Sequence, residues 1–255
     1  MKNRKGVVSV AAKQGPRPYQ EDYYVFFRIG NVNLKGWLLA VMDGHRGKLV
    51  ADICAGKIEK LFQITDASLA EESLRRLVAD LNSQTEFYSE GSTFSAILLI
   101  DNIPKVSVAV LGDSPIVVLD KEGNIHVSPE HNVRSNLEER KAAEQRGGIY
   151  ADGYIWNDLS SLGSGLQMSR ALGDAHLGKI LSREPDIYVI SNPEWVLVAS
   201  DGVFDPDHEN TSQLIEKVKK YAIRRSTAGD IMKWAESRGL KDNATALVWS
   251  LSKSK

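Results

Sequence analysis

A carboxylate stands at the end of an apolar run at five places in this 255-residue chain. Glu21-Asp22 opens one run, and Asp43-Gly44-His45 closes Trp37-Leu38-Leu39-Ala40-Val41-Met42. Asp113 follows Leu111-Gly112. Asp201-Gly202 closes Trp195-Val196-Leu197-Val198-Ala199-Ser200, and Asp242-Asn243 precedes Ala244-Thr245. Runs this short and apolar read as buried strands. A carboxylate at a strand tip has a rigid mount at the rim of the interior, where it stays charged. Carboxylates, a glycine carbonyl and water are hard oxygen ligands that suit Mg²⁺ or Mn²⁺. Each Asp-Gly, Gly-Asp or Asp-Asn pair taken singly is a common turn former, and the glycines after Asp43 and Asp201 predict sharp turns there. Their coincidence at strand ends points to a shared cation site.

Two further residues extend this chemistry. His45 lies two positions after Asp43, where it can give a proton to a leaving group; alone it reads equally well as an exposed turn residue. The remaining histidines, His126, His131, His176 and His208, show no ligand spacing. Arg17 precedes Glu21 by four in the loop Gly15-Pro16-Arg17-Pro18-Tyr19-Gln20. A guanidinium beside a dimetal site suits bidentate capture of phosphate.

Periodicity predicts the elements that must hold these groups. Strand-like runs cover Val7 to Ala11, Tyr23 to Ile29 and Trp37 to Met42. Helices follow at Lys48 to Phe62 and Ala67 to Ser83, with Leu49 and Leu69 on their apolar stripes and Thr65, Asp66 or Ser68 as caps. Strands are expected again at Ser92 to Ile100, Lys105 to Leu111, Ile116 to Leu119 and Asn124 to Val127. Asp101-Asn102 and Asp120 to Gly123 read as hairpin turns. A charged helix spans Arg134 to Arg146 and stops at Gly147-Gly148. Strands at Ile187 to Ile190 and Trp195 to Ala199, helices at Ser212 to Ile223 and Thr227 to Ser237, and a strand at Ala244 to Leu251 complete the chain. Paired helices between groups of hairpin-connected strands indicate an α+β fold, with two sheets face to face and a helix pair outside each.

Bulk composition narrows the class. The chain is 42% hydrophobic and 25% charged, enough for a globular core. Lys plus Arg number 32 against 33 Asp plus Glu. That balance argues against nucleic acid or an anionic membrane as the main partner. Cys54 is the only cysteine, which excludes an internal disulfide or a cysteine metal cage, and its helical apolar setting makes it core filler. The apolar stretch after the basic start Met1-Lys2-Asn3-Arg4-Lys5 is too short for a secretory signal, and no run reaches membrane-spanning length. A cytoplasmic monomer is expected.

In order along the chain, Arg17 with Glu21-Asp22, Asp43-Gly44-His45, Gly91-Ser92-Thr93, Gly112-Asp113-Ser114, Ser169-Arg170-Ala171-Leu172-Gly173-Asp174, Ala199-Ser200-Asp201-Gly202 and Asp242-Asn243-Ala244-Thr245 resemble the metal-dependent Ser/Thr protein phosphatases of type 2C, the PPM family. The resemblance runs from about Arg17 to Trp249. It implies a four-layer α-β-β-α sandwich of two antiparallel sheets flanked by helix pairs. A single catalytic domain over residues 1–255 is expected, with no appended regulatory domain.

The resemblance also implies roles. Asp43 would bridge two Mn²⁺ or Mg²⁺ ions, with Glu21 and the Gly44 carbonyl completing one site and Asp201 and Asp242 the other. Asp22 would orient water, and Asp113 with Asp201 would form a weaker third site. Arg17 would bind substrate phosphate and His45 would be the general acid. Water activated between the ions would hydrolyse phosphoserine or phosphothreonine in signalling proteins without a phosphoenzyme, leaving Cys54 no part.

Three departures from the family pattern stand out. Arg46-Gly47 replaces Gly-Gly after Asp-Gly-His, Pro115 replaces Arg after Gly-Asp-Ser, and Glu130-His131 replaces Asp-His. Gly148 to Met168, which contains Tyr154 and Trp156, occupies the family's flap position and is expected to face substrate. The alternatives are a pseudophosphatase that binds phosphoproteins and a structural Ca²⁺-binding protein. The first would be favoured by lost metal carboxylates, and the second lacks EF-hand spacing.

Overall fold

The computed structural model describes residues 6–30, 34–160, 165–204 and 211–251. Met1 to Lys5, His208 and residues 161–164 of the flap segment lie outside them. Three strands open the chain: β1 (Gly6–Lys13), β2 (Asp22–Gly30) and β3 (Lys35–His45). Helices α1 (Leu49–Leu61) and α2 (Ala70–Thr85) follow. Next come β4 (Gly91–Ser92), β5 (Phe94–Ile100), β6 (Lys105–Leu111), β7 (Ile116–Asp120) and β8 (Ile125–Val127), then α3 (Leu137–Gln145) and the hairpin β9 (Ile149–Ala151) and β10 (Tyr154–Trp156). The chain continues through β11 (Leu172–Gly173), β12 (Asp186–Ser191), β13 (Pro193–Ala199), α4 (Thr211–Arg224), α5 (Ala228–Ser237) and β14 (Ala244–Leu251).

One sheet has the order β1-β14-β13-β7-β8. The other runs β11-β4-β3-β5-β6-β12, with β2 on the free edge of β3. The paired strands within both are antiparallel. Two-residue alternation sorts the side chains into layers. In β3, Leu38, Ala40 and Met42 pack with Val50, Cys54, Leu74 and Leu81 of α1 and α2. Leu39 and Val41, one residue out of phase, pack with Val196, Val198 and Leu247 of the facing sheet. In β13, Trp195, Leu197 and Ala199 turn to Val218, Ile231 and Met232 of α4 and α5. These three interiors make the α-β-β-α sandwich.

Several local expectations change. β3 continues through Asp43, Gly44 and His45 because β4 pairs with them. The run from Ser92 to Ile100 breaks at Thr93 into β4 and β5. The helix expected from Ala67 begins as a separate 3₁₀ turn, Ala67–Leu69, in which Asp66 accepts the Ser68 N–H at 2.8 Å. Leu49, at the start of α1, and Leu69, at the end of the 3₁₀ turn, are exposed rather than part of the apolar stripes. Asn136 accepts the N–H groups of Glu138 and Glu139, so α3 starts at Leu137 and not Arg134. The β9–β10 hairpin was not anticipated, since three-residue strands carry too little alternation to read; Ile155 anchors it against Val133, Ala143 and Ile180. Cys54 is fully buried, and burial pushes its thiol up to about 12.

Candidate active site

The alternation that sorts the core also aims the carboxylates. Asp43 continues the phase of Leu39 and Val41 and so faces the gap between the sheets. Asp22 is out of phase with Tyr23, Val25 and Phe27, which pack toward the helices, and enters the same gap. From the opposite sheet, Ser200 continues the phase of Val196 and Val198, and Thr245 that of Leu247. The Ser200 hydroxyl donates to Asp22 Oδ2 at 2.7 Å and accepts the Thr245 N–H at 2.9 Å. Asp201 follows in a 3₁₀ turn, Asp201–Val203, and its carboxylate meets that of Asp43 within hydrogen-bonding reach.

The two Asp-Gly pairs do not turn as expected. Neither Gly44 nor Gly202 has a positive φ; the chain bends after β3 at Arg46 and Gly47, with φ of 63° and 136°. Glycine is needed for close approach instead. A β-carbon on Gly44 would lie 2.6 Å from the Glu21 carbonyl oxygen, and one on Gly202 would overlap the Asn243 carbonyl. The Trp echo is also asymmetric: Trp195 packs toward α4 and α5, whereas Trp37 packs on the inter-sheet side.

Asn243 ties the first loop to the site. Its side chain accepts the Glu21 N–H at 2.7 Å and donates to the carbonyls of Gln14 and Tyr19 at 2.7 and 3.0 Å. Glu21, partly buried, also accepts the Gly44 N–H through its own carbonyl at 3.1 Å. The loop so held brings Arg17, exposed at the mouth, to Asp242, where Nη2 bonds Oδ2 at 2.5 Å. Thr93 fixes Asp43: its hydroxyl accepts the Asp43 N–H at 3.0 Å and its own N–H reaches the Asp43 carbonyl at 2.9 Å. Asn243, Ser200 and Thr93 were not assigned these roles from sequence. Their signal was a polar residue in the inter-sheet phase of an apolar strand.

Burial raises Asp43 well above the usual carboxylate range, and the charges of Asp22, Asp201 and Asp113 add to the rise. Asp201 is raised for the same reason, with Asp113 and Asp242 adding to it. Burial lifts Asp22 to about 6, against the lowering effect of its bond to Ser200 and of the nearby Thr245 hydroxyl and Asp43 carboxyl. Carboxylates pressed together in this way hold a proton or take a cation. Among the described residues, no three Asp, Glu, His or Cys side chains close into a finished coordination cage. The donor chemistry still fits a hard divalent ion: the ligands are carboxylate oxygens, and Asp22 Oδ1 is buried without a hydrogen-bond partner.

Asp113 is reached from the other side. Asn132 Nδ2 donates to Asp113 Oδ2 at 3.0 Å. The neighbouring Gly112 N–H donates to Nδ1 of the fully buried His131 at 3.0 Å, which leaves His131 Nε2–H to donate to Asp186 at 3.1 Å. Arg170 joins Asp186 and Glu139 at 2.9 and 2.5 Å. Arg170 therefore braces the Asp113 turn from outside the site. Arg46 lies at the rim, where Nη1 donates to His176 Nε2 at 2.6 Å. On the flap hairpin the rings of Tyr154 and Trp156 are 5.9 Å apart. His45 Nε2 lies 2.7 Å from Oδ2 of the buried Asp174.

The family model described as protein phosphatase 2C matches residues 20–244. The chain is 30% identical over 258 residues to "Probable protein phosphatase 2C 59" of Oryza sativa subsp. japonica, covering 96% of this chain and 76% of that protein. It is 31% identical over 252 residues to the rice "Probable protein phosphatase 2C member 13, mitochondrial", at 92% and 65% coverage. It is 30% identical to "Probable protein phosphatase 2C 76" of Arabidopsis thaliana, of which it spans 56%. The chain thus spans between about half and three quarters of these relatives. A serine-threonine phosphatase 2C from Toxoplasma gondii has the same fold, with a TM-score of 0.71 at 20% identity, covering 96% of this chain and 94% of that one. A C. elegans sex determining protein superposes with a TM-score of 0.73 at 24% identity, over 99% and 66%.

Proposed function

Given that the chain belongs to the protein phosphatase 2C family, we propose that it hydrolyses phosphoserine and phosphothreonine monoesters in proteins. The observation that carries this reading is the meeting of Asp43 and Asp201 from facing sheets, with Asp22, Asp113 and Asp242 acting on them electrostatically. Asp43, Glu21, the Gly44 carbonyl, Asp201 and Asp242 would hold two Mn²⁺ or Mg²⁺ ions, and Asp113 with Asp201 a weaker third. When bound, such ions supply Lewis acidity, lowering the pKa of water and balancing phosphoryl charge.

The chain's own groups do the rest. Arg17, exposed at the mouth, binds the phosphoryl oxygens and orients phosphorus. Asp22, anchored by Ser200, orients the attacking water. His45 gives a proton to the departing serine or threonine oxygen. Attack by water makes a phosphoenzyme unnecessary, and Cys54, buried with a raised thiol pKa, takes no part. The proposal extends to a monomeric, cytoplasmic catalytic unit over residues 1–255, with phosphoproteins rather than nucleic acid or membrane as partners. No helix among the described residues is long and apolar enough to cross a membrane, and the net charge is −1.

The test offers a phosphothreonine peptide to the purified protein with Mn²⁺, with Mg²⁺ and with chelator. Phosphate release that needs the cation is expected. Tight peptide binding without release under all three conditions would instead select a pseudophosphatase, which no observation here favours.

A further inference from the structure

Three short strands bring two distant side chains together. In β3, His45 pairs across from Gly91 of β4, and Gly91 pairs across from Gly173 of β11. Asp174 is the residue immediately after β11. Its backbone is left-handed at φ 50°, and its N–H is anchored on the Glu90 carbonyl at 2.9 Å. The side chains of His45 and Asp174 meet over Gly91, with Nε2 2.7 Å from Oδ2. A β-carbon at Gly91 would overlap both atoms. The pair therefore exists because the residue between its members, Gly91, carries no side chain.

Burial makes the contact directional. Asp174 is fully enclosed, and the His45 side chain is 18% exposed. Arg183 donates to the Gly173 carbonyl at 2.5 Å and lies near enough to offset the Asp174 charge. His45 Nδ1 is buried without a protein partner. A carboxylate accepting from Nε2–H sets the tautomer and the ring plane, because which imidazole nitrogen is held decides which is left to react.

We propose that Asp174 is a positioning residue for phosphate-ester cleavage: it holds His45 through Nε2–H and so fixes the plane of the ring that protonates the leaving oxygen. This rests on the reading of His45 as proton donor. As the P–O bond to the serine or threonine oxygen breaks, its electron pair stays on that oxygen. The proton moves there from the His45 imidazolium, and the ring is left neutral with Nε2–H still on Asp174.

A leaving-group comparison tests it. An alkoxide needs the proton, whereas p-nitrophenolate departs readily without one. In the Mn²⁺-loaded full chain, H45Q should lose on the order of 100-fold in kcat on a phosphothreonine peptide and far less on p-nitrophenyl phosphate. D174N, which keeps the side-chain shape, should show the same selectivity with a loss of at least about 10-fold on the peptide. The double variant should be no slower than H45Q alone, since groups acting as a unit are not additive. Equal losses of D174N on both substrates, or multiplied losses in the double variant, overturn the proposal while leaving His45 its role. An unselective H45Q overturns the His45 reading and the proposal together. The unmutated protein gives an answer that folding of a variant cannot cloud. Nitrogen-15 spectra should show neutral His45 protonated at Nε2, and protonation at Nδ1 instead overturns the assignment.

Discussion

Two clusters of buried charge flank the Gly112-Asp113 turn, and they are built on opposite rules. On one side Glu139, Arg170, Asp186 and His131 pair each carboxylate with a cation or an N–H donor. Burial alone would raise Glu139, but its bonds to Arg170 and Ser169 outweigh that and hold it below its ordinary value. Asp186 is lowered first by its bond to His131. On the other side Asp22, Asp43 and Asp201 are raised, because burial acts on carboxylates whose close neighbours are more carboxylates. Pairing thus turns the shift downward in the first cluster, while deeper burial among like charges turns it upward in the second. The first cluster is completed by the chain itself, so its work is structural. The second is not completed by the chain's own cations, so it holds protons or takes a cation.

Substitutions can break this contrast. Asp43→Asn should cut phosphatase turnover at least ~1000-fold, about 4 kcal/mol in the barrier, while raising the melting temperature in chelator by relieving repulsion. Activity within about tenfold of the unmutated chain would sink the assigned role of Asp43. Arg170→Ala should do the reverse. It strands Glu139 and should cost about 3 kcal/mol of stability in denaturant titration, with per-molecule activity falling much less at temperatures where the variant stays folded.

The pH dependence sharpens the contrast further. Asp22 holds its proton more tightly folded, at about 6, than at its ordinary 3.8. Its contribution to stability is therefore fully present below about pH 4 and disappears as pH rises through about 6. A shift of this size is worth about 3 kcal/mol, so in chelator the stability advantage of Asp22→Asn over the unmutated chain should grow by up to that amount across this window. Glu139 is lowered, so its contribution should vanish as pH falls through its folded value, and Glu139→Gln should remove that acid-side loss. A smaller effect is expected for Arg17→Ala: about a tenfold rise in KM for a phosphopeptide, roughly 1.4 kcal/mol, with kcat less affected. A change confined to kcat would place Arg17 in the chemical step rather than in binding.

Residue type and strand phase made much of this legible from sequence. Asp43 and Asp201 stand out because several carboxylates coincide at the ends of buried strands, where any one alone would read as a turn former. The sandwich follows from helix pairs alternating with hairpin strands. What stayed hidden depends on contacts between distant positions. Asn243 reaches Gln14 and Glu21, and Asp174 reaches His45 across 129 positions. Neither side chain differs in type from an ordinary turn residue. Arg170 was legible as part of a motif but not as a brace outside the site, since its partners Glu139 and Asp186 lie in other elements. The glycines of the Asp-Gly pairs misled for a related reason. Turn formation is a local property, whereas the crowding at Gly44 and Gly202 comes from segments elsewhere in the chain.

Asp43 and Asp201 stand on different sheets, two residues beyond Val41 and three beyond Val198, which meet in the layer between those sheets. The span between the two carboxylates is thus gauged by the thickness of a hydrocarbon filling. Shaving or padding that filling with a methyl group retunes the spacing of the two carboxylates, much as a shim sets the gap of a vice, without altering any atom a substrate would touch.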